Sequence, residues 1–200
     1  MFLAYASSRG HALIDRELYI PESWTDDRER CRDAGIPDEV GFATKARQMI
    51  AMLDRALAAG VPFAWFTADE VYGQAGYLRD WLEGQVVSYV MATRCDHQLT
   101  TRAGRRARAD ELIADLAPVK RQRLSVGAGA HGPREYDWVR RPIDGTWARG
   151  RGHWLLARRS INDPTEIAYY LCYGPARSRL VDLAWVAGSR WHVEEALCAT

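Results

Sequence analysis

Two hundred residues, 48% of them hydrophobic and 26% charged with a formal net charge of +1, describe a soluble globular chain of one large domain, or one domain with an insertion. The apolar runs are far too short to span a bilayer, and no basic segment precedes Met1-Phe2-Leu3-Ala4-Tyr5, which argues against a membrane helix and a signal peptide and for a cytoplasmic protein. Cys31, Cys95, Cys172 and Cys198 are scattered with no C-x-x-C pair, which speaks against a disulfide framework and a structural zinc site.

Residues 2–6 and 11–19 are short apolar-rich runs separated by Ser7-Ser8-Arg9-Gly10, so the chain is expected to open with a hairpin. A charged stretch with Asp26, Asp27, Arg28, Glu29 and Arg30 reads as a solvated helix or loop. Thr44 is placed to cap a helix in which Met49, Ile50, Leu53, Ala56 and Leu57 recur at helical spacing before Gly60. A strand is predicted over residues 61–68, ending at Asp69-Glu70-Val71-Tyr72-Gly73. Residues 74–83 read as a helix and 86–92 as another nearly continuous apolar strand, which makes a βαβ unit with a parallel pair. Beyond Arg94 come a short helix over 109–117, a Gly-rich turn over 127–132, and three runs of strand composition over 136–141, 153–160 and 167–173. Ser178 can cap a helix holding Leu180, Leu183, Ala184 and Trp185, and a second helical stretch is expected from Ser189 or Arg190.

The overall charge hides an asymmetry. Residues 1–93 carry 9 basic against 14 acidic side chains, whereas residues 94–200 carry 18 against 12, so the second half is the one suited to a polyanion. Arginine accounts for 25 of the 27 basic residues, and its planar fork grips phosphate in bidentate fashion, although a GC-rich coding sequence also favours arginine. Cys95-Asp96-His97 is the one place where metal-ligand residue types cluster, and its spacing reads as incidental. His11, His97, His131, His153 and His192 show no spacing that suggests a catalytic base. Trp138, Trp147 and Trp154 could stack on unpaired bases or simply fill a core.

The order hairpin, helix, strand ending in Asp69-Glu70-Val71-Tyr72, helix, strand, β-rich segment, and then a helix bearing Arg190-Trp191-His192-Val193-Glu194 resembles the catalytic core of DDE-type insertion-sequence transposases, from its second strand onward. Members of that family carry an Asp on a first strand, a second Asp opening D-x-x-[YF], and a Glu in Y-x-x-R-x-x-x-E followed, after six intervening residues, by Lys. Here Ala187 stands at the Tyr position, the Lys would fall just past Thr200, and the first-strand Asp before Met1. The resemblance implies an α/β fold, a ribonuclease H-like mixed sheet with flanking helices that lacks its first strand and carries a β-rich insertion. Residues 1–93 would be the first part of the core, 94–175 the basic insertion, and 176–200 the C-terminal helices with the Glu motif. It also implies a truncated enzyme or a remnant of one.

Such enzymes hold two divalent cations, Mg²⁺ or Mn²⁺, on carboxylates. By resemblance, Asp69 would serve one metal and Glu194 the other as the catalytic acids, with the missing Asp bridging both; Glu195 is the substitute for Glu194. Arg190, one helical turn before Glu194, would hold a phosphate or orient the acid, and Arg105, Arg106, Arg108, Arg121 and Arg123 would contact DNA, the transposon ends and the target. The resemblance allows a homodimer and calls for no membrane partner. With two of three carboxylates the chain alone should be inactive; the alternative is a non-catalytic DNA-binding or oligomerising remnant. Read without the resemblance, Asp69 caps the turn that follows it, Arg190 and Glu194 form an i,i+4 ion pair on a solvated face, and Asp15 belongs to an edge or turn.

Overall fold

The structure, a computed structural model, describes residues 1–7, 9–129, 132–145 and 150–190. They divide into two compact units, one over Met1–Pro62 and one from Phe63 onward. In the first unit, β1 (Phe2–Ser7) and β2 (Gly10–Arg16) form the expected antiparallel hairpin. The charged stretch makes two short helices, α1 (Glu22–Thr25) and α2 (Arg28–Asp33), the second capped by the Asp27 carboxylate, which accepts from the Arg30 amide at 3.0 Å. Thr44 caps α3 (Lys45–Ala58) as the sequence suggests, its hydroxyl accepting from the Arg47 amide, and the helix buries Met49, Met52, Leu53 and Ala56. Arg55 on α3 reaches Asp15 and Glu17 at 2.8 and 2.7 Å, so Asp15 ties the hairpin to the helix.

The second unit opens with β3 (Trp65–Ala68), shorter than the predicted strand because residues 61–64, with Pro62 among them, stay outside any element. The motif after it forms a helix that the sequence did not suggest, α4 (Glu70–Gly73), and the helix expected over 74–83 is α5 (Gly76–Gly84), with Gln74 closing one and Ala75 opening the next. Then come β4 (Ser88–Thr93), the small hairpin β5 (Gln98–Thr100) with β6 (Arg106–Arg108), and α6 (Ala109–Ala114). A strand that the sequence did not suggest, β7 (Gln122–Gly129), precedes β8 (Gly132–Pro142), β9 (Arg151–Arg159) and β10 (Ile167–Pro175). Its five residues Ser125-Val126-Gly127-Ala128-Gly129 have the composition of a turn, and it becomes a strand through pairing with β8. α7 (Leu180–Ser189) is one helix running through Gly188, capped from Arg179, whose amide donates to Asp182 at 2.8 Å; the hydroxyl of Ser178 is not the cap.

Six strands form one sheet in the order β3-β4-β10-β9-β8-β7, parallel between β3 and β4 and antiparallel elsewhere. This curled mixed sheet with helices beside it is the α/β, ribonuclease H-like architecture anticipated. β3 pairs with β4 alone, so one edge of the sheet is open among the described residues.

Strand alternation sorts the core into two layers. Val90, Cys172, Tyr170, Trp154, Leu156 and Trp138 point to one face, where they meet Leu180, Leu183, Ala184 and Ala187 of α7. The curl brings β7 to the same helix: a Cβ at Gly188 would overlap Val126, so only glycine lets α7 come this close. On the other face, Met91 lies under α4, and Tyr89 and His153 meet Glu83 of α5. β4 is consequently buried on both sides, which is why it reads as a continuous apolar run.

Candidate active site

β3 carries Asp69 to the C-terminal tip of the parallel pair, where Ala68 stands opposite Met91 and Asp69 is therefore level with Ala92. Crevices at the carboxyl ends of parallel strands are where α/β sheets bind ligands. Asp69 is exposed and caps α4, its Oδ1 accepting from the Val71 amide at 3.0 Å. The capping role is thus present, but it uses one oxygen; Oδ2 accepts no hydrogen bond among the described residues. Tyr72, the fourth residue of the motif, lies near enough that burial and the Asp69 charge together hold its phenol above the ordinary value.

The motif's glycine explains the tight turn. A Cβ on Gly73 would overlap the carbonyl oxygen of Ala92, so α4 can rest on the backbone of β4 only with glycine there. Around this tip stand Arg94, held bidentately by Asp96 at 2.9 Å, the exposed Cys95, and His97, whose Nδ1 is 2.8 Å from the Thr93 hydroxyl. The carboxyl of Asp96 lies below its ordinary value because it accepts from Arg94. No three His, Cys, Asp or Glu side chains among the described residues gather as a metal site, Cys95-Asp96-His97 included.

Glu194 and Glu195 lie outside the described residues. Arg190 is the C-cap of α7. Because β10 runs antiparallel to β4, it ends at the sheet end opposite Asp69, and α7 starts from there. Arg190 approaches Tyr170, whose phenol is raised by burial with the charges of Arg158 and Arg190 opposing; Tyr170 pairs with Ala92, the residue level with Asp69. The helix therefore brings Arg190 toward the Asp69 end of the sheet.

The arginines expected to meet DNA are mostly engaged already. Arg105 pairs with Asp115, Arg108 with Asp110 at 2.6 Å, and Arg123 with Asp137 at 3.3 Å, which also holds Arg159. Arg106 and Arg121 have no ion pair among the described residues. Trp138 and Trp154 are 0% and 2% exposed and belong to the core against α7, so neither presents a face to a base, and Trp147 lies outside the described residues.

Sequence reasoning missed one polar cluster. Glu83 Oε1 accepts from the Tyr89 hydroxyl at 2.8 Å and sits 2.9 Å from His153 Nε2, at the end of β4 away from Asp69. Glu83 and Tyr89 are near neighbours in sequence, but His153 is distant and nothing in the spacing marks it; only the pairing of β9 with β10 and of β10 with β4 brings it to them.

The family model described as DDE superfamily endonuclease matches residues 1–125. The chain belongs to that family. The match runs from β1 through β3, Asp69 and β4 into β7, so it includes the D-x-x-Y motif at the strand tip and leaves α7 beyond it. No curated protein matches the chain. Membership in the DDE endonucleases makes this a transposase-like nuclease domain whose substrate is DNA, in a family that typically works with divalent metals. No helix of the described residues is long and apolar enough to cross a membrane.

Proposed function

We propose that this DDE endonuclease is the catalytic core of an insertion-sequence transposase, in which Asp69 and Glu194 hold Mg²⁺ or Mn²⁺ and Arg190 contacts a DNA phosphate. The observation that carries the reading is Asp69 itself: an exposed carboxylate at the C-terminal tip of a parallel strand, one oxygen committed to capping and the other without a hydrogen bond among the described residues, with α7 bringing Arg190 toward the same end. An oxygen donor of this kind suits a hard divalent cation. When bound, such cations activate the attacking oxygen and stabilise the leaving one in phosphodiester cleavage. The chain's own contribution is to fix the acid by its cap and to bring a guanidinium to the DNA backbone.

Two acids are one short of the family's three. Among the described residues β3 has an open edge next to Asp69, where a strand bearing the third acid would fit, and the chain by itself is inactive in cleavage and strand transfer on this reading. DNA is held by arginines without an ion pair among the described residues, Arg106 and Arg121 foremost, giving weak binding that falls with salt because each neutralised phosphate releases counterions. Function as a DNA-binding or oligomerising remnant, a homodimer included, is the second reading.

The test is a nicking assay on element-end DNA with Mg²⁺ or Mn²⁺, using the chain alone and a form extended by an Asp-bearing strand. The extended form should cleave, and Asp69→Ala or Glu194→Ala should abolish it. Cleavage by the chain alone, or by the extended form carrying both substitutions, would overturn the residue assignments. Binding without cleavage in either form would favour the remnant.

A further inference from the structure

Asp69 owes its direction to a four-residue helix, which cannot hold itself in place: α4 has a single turn, and an isolated turn of that length is unstable in water. What holds it lies at its C-terminal end. Gly73 rests against the Ala92 carbonyl with no room for a side chain, and Arg79 donates to the Gly73 carbonyl. Next to these, Gln74 Nε2 donates to the Thr93 hydroxyl at 3.0 Å, and that hydroxyl is 2.8 Å from His97 Nδ1. Thr93 is 5% exposed, so its hydroxyl has little water to fall back on.

We infer that Gln74, Thr93 and His97 form a hydrogen-bonded clamp that fastens α4 to β4 and thereby sets the direction of the Asp69 carboxylate, which makes the three of them positioning residues. The inference rests on the reading of Asp69 as a metal ligand. The Thr93 oxygen accepts from Gln74, and its contact with His97 Nδ1 is an O–H donation when the neutral imidazole carries its proton on Nε2. The surroundings favour that state. Burial and the Arg79 charge hold the His97 imidazole below its ordinary value against the opposing pull of Asp96, and Arg79 is the same residue that holds the Gly73 carbonyl.

The test uses this chain and two readouts. Amide hydrogen exchange at Val71, Gly73 and Gln74 reports the clamp directly. Thr93→Val removes the hydroxyl while keeping the branched shape, and His97→Ala removes its acceptor; each should speed exchange at α4 by about three- to tenfold, as loss of one hydrogen bond does, with β9 and β10 unchanged. Thr93→Ser should restore protection. Mn²⁺ broadening of the residue 70–72 amides reports positioning: the midpoint should rise severalfold in Thr93→Val and His97→Ala, return in Thr93→Ser, and broadening should vanish in Asp69→Ala. Unchanged exchange and an unchanged Mn²⁺ midpoint in Thr93→Val would overturn the clamp. Broadening that survives Asp69→Ala would overturn the reading of Asp69 as a ligand, while the exchange result would still judge the clamp on its own.

Discussion

The two ends of β4 each carry a carboxylate presented by a neighbouring helix, and they use it in opposite ways. At the N-terminal end, Glu83 accepts from Tyr89 and meets His153, both of them buried, so the acid is consumed by internal partners. Burial would raise its carboxyl, but the hydrogen bonds from His153 and Tyr89 and the nearby charges of His153 and Arg79 outweigh that and leave it below the ordinary value. At the C-terminal end, the exposed Asp69 spends one oxygen on its own helix, and the other accepts no hydrogen bond among the described residues. The contrast teaches that the type of residue says little about its role here. What separates a structural acid from a candidate ligand is whether the engaged oxygen serves buried side chains from other strands or only the exposed turn that follows it.

The largest expected effect is at the consumed end. Glu83→Ala leaves the Tyr89 hydroxyl and His153 Nε2 without their shared acceptor, and two stranded polar groups should cost about 3 kcal/mol together. Denaturant unfolding of the 200-residue chain checks it, and Glu83→Gln, which keeps an acceptor, should recover most of the loss. A loss under about 0.5 kcal/mol in Glu83→Ala would mean that water replaces the carboxylate and that the two ends do not differ as described.

Gly73→Ala comes next, at the other end. The added methyl must displace α4 from the Ala92 carbonyl, an overpacking that should cost about 2 kcal/mol and carry Asp69 away with it. Unlike Glu83→Ala, it should abolish metal binding at Asp69 in the same measurement, which sharpens the distinction between an acid that stabilises and one that is merely held.

How much of this could be read from the residues follows the same division. The Asp69 tip was legible because strand, acid, cap and glycine are consecutive in sequence, and the αL-requiring end of α3 at Gly60 and the Thr44 cap were legible for the same local reason. β7 was not, because Gly127 and its small neighbours carry no strand preference and take their conformation from β8. Val86 misled in the other direction. Its apolar, branched side chain suggests that β4 starts there, yet it closes α5 at φ 59° with the Val87 amide reaching back to the Leu82 carbonyl, a position that usually belongs to glycine. Trp138 and Trp154 could have been base-stacking groups on composition alone, and only the curl of the sheet around α7 places them in the core.

A smaller effect separates the ends by acidity. His97 lies below its ordinary value of 6.5, so the unfolded chain binds its proton first; the stability it contributes is complete above that value and is lost as pH falls from there through the folded value. Glu83 lies below its ordinary 4.5 and follows the same sign lower down, its contribution present above 4.5 and lost as pH falls through the folded value. Acid unfolding should therefore weaken the chain in two stages, the first missing in His97→Asn and the second in Glu83→Gln. A single transition unaffected by either substitution would break the assignment of separate roles.

The smallest effect on stability should accompany the largest effect on function. Asp69→Asn keeps an oxygen that can accept from the Val71 amide, and asparagine caps a helix about as well as aspartate, so unfolding free energy should change by less than about 0.5 kcal/mol. The charge that would bind a cation is nevertheless gone, and a neutral amide oxygen is a far weaker ligand for Mg²⁺ or Mn²⁺ than a carboxylate. Mn²⁺ broadening at residues 70–72 should disappear while the melting curve stays in place. The mirror result, a clear loss of stability with metal binding kept, would make Asp69 an ordinary cap like Asp27 and would leave the open end of β4 without the role that its unused oxygen suggests.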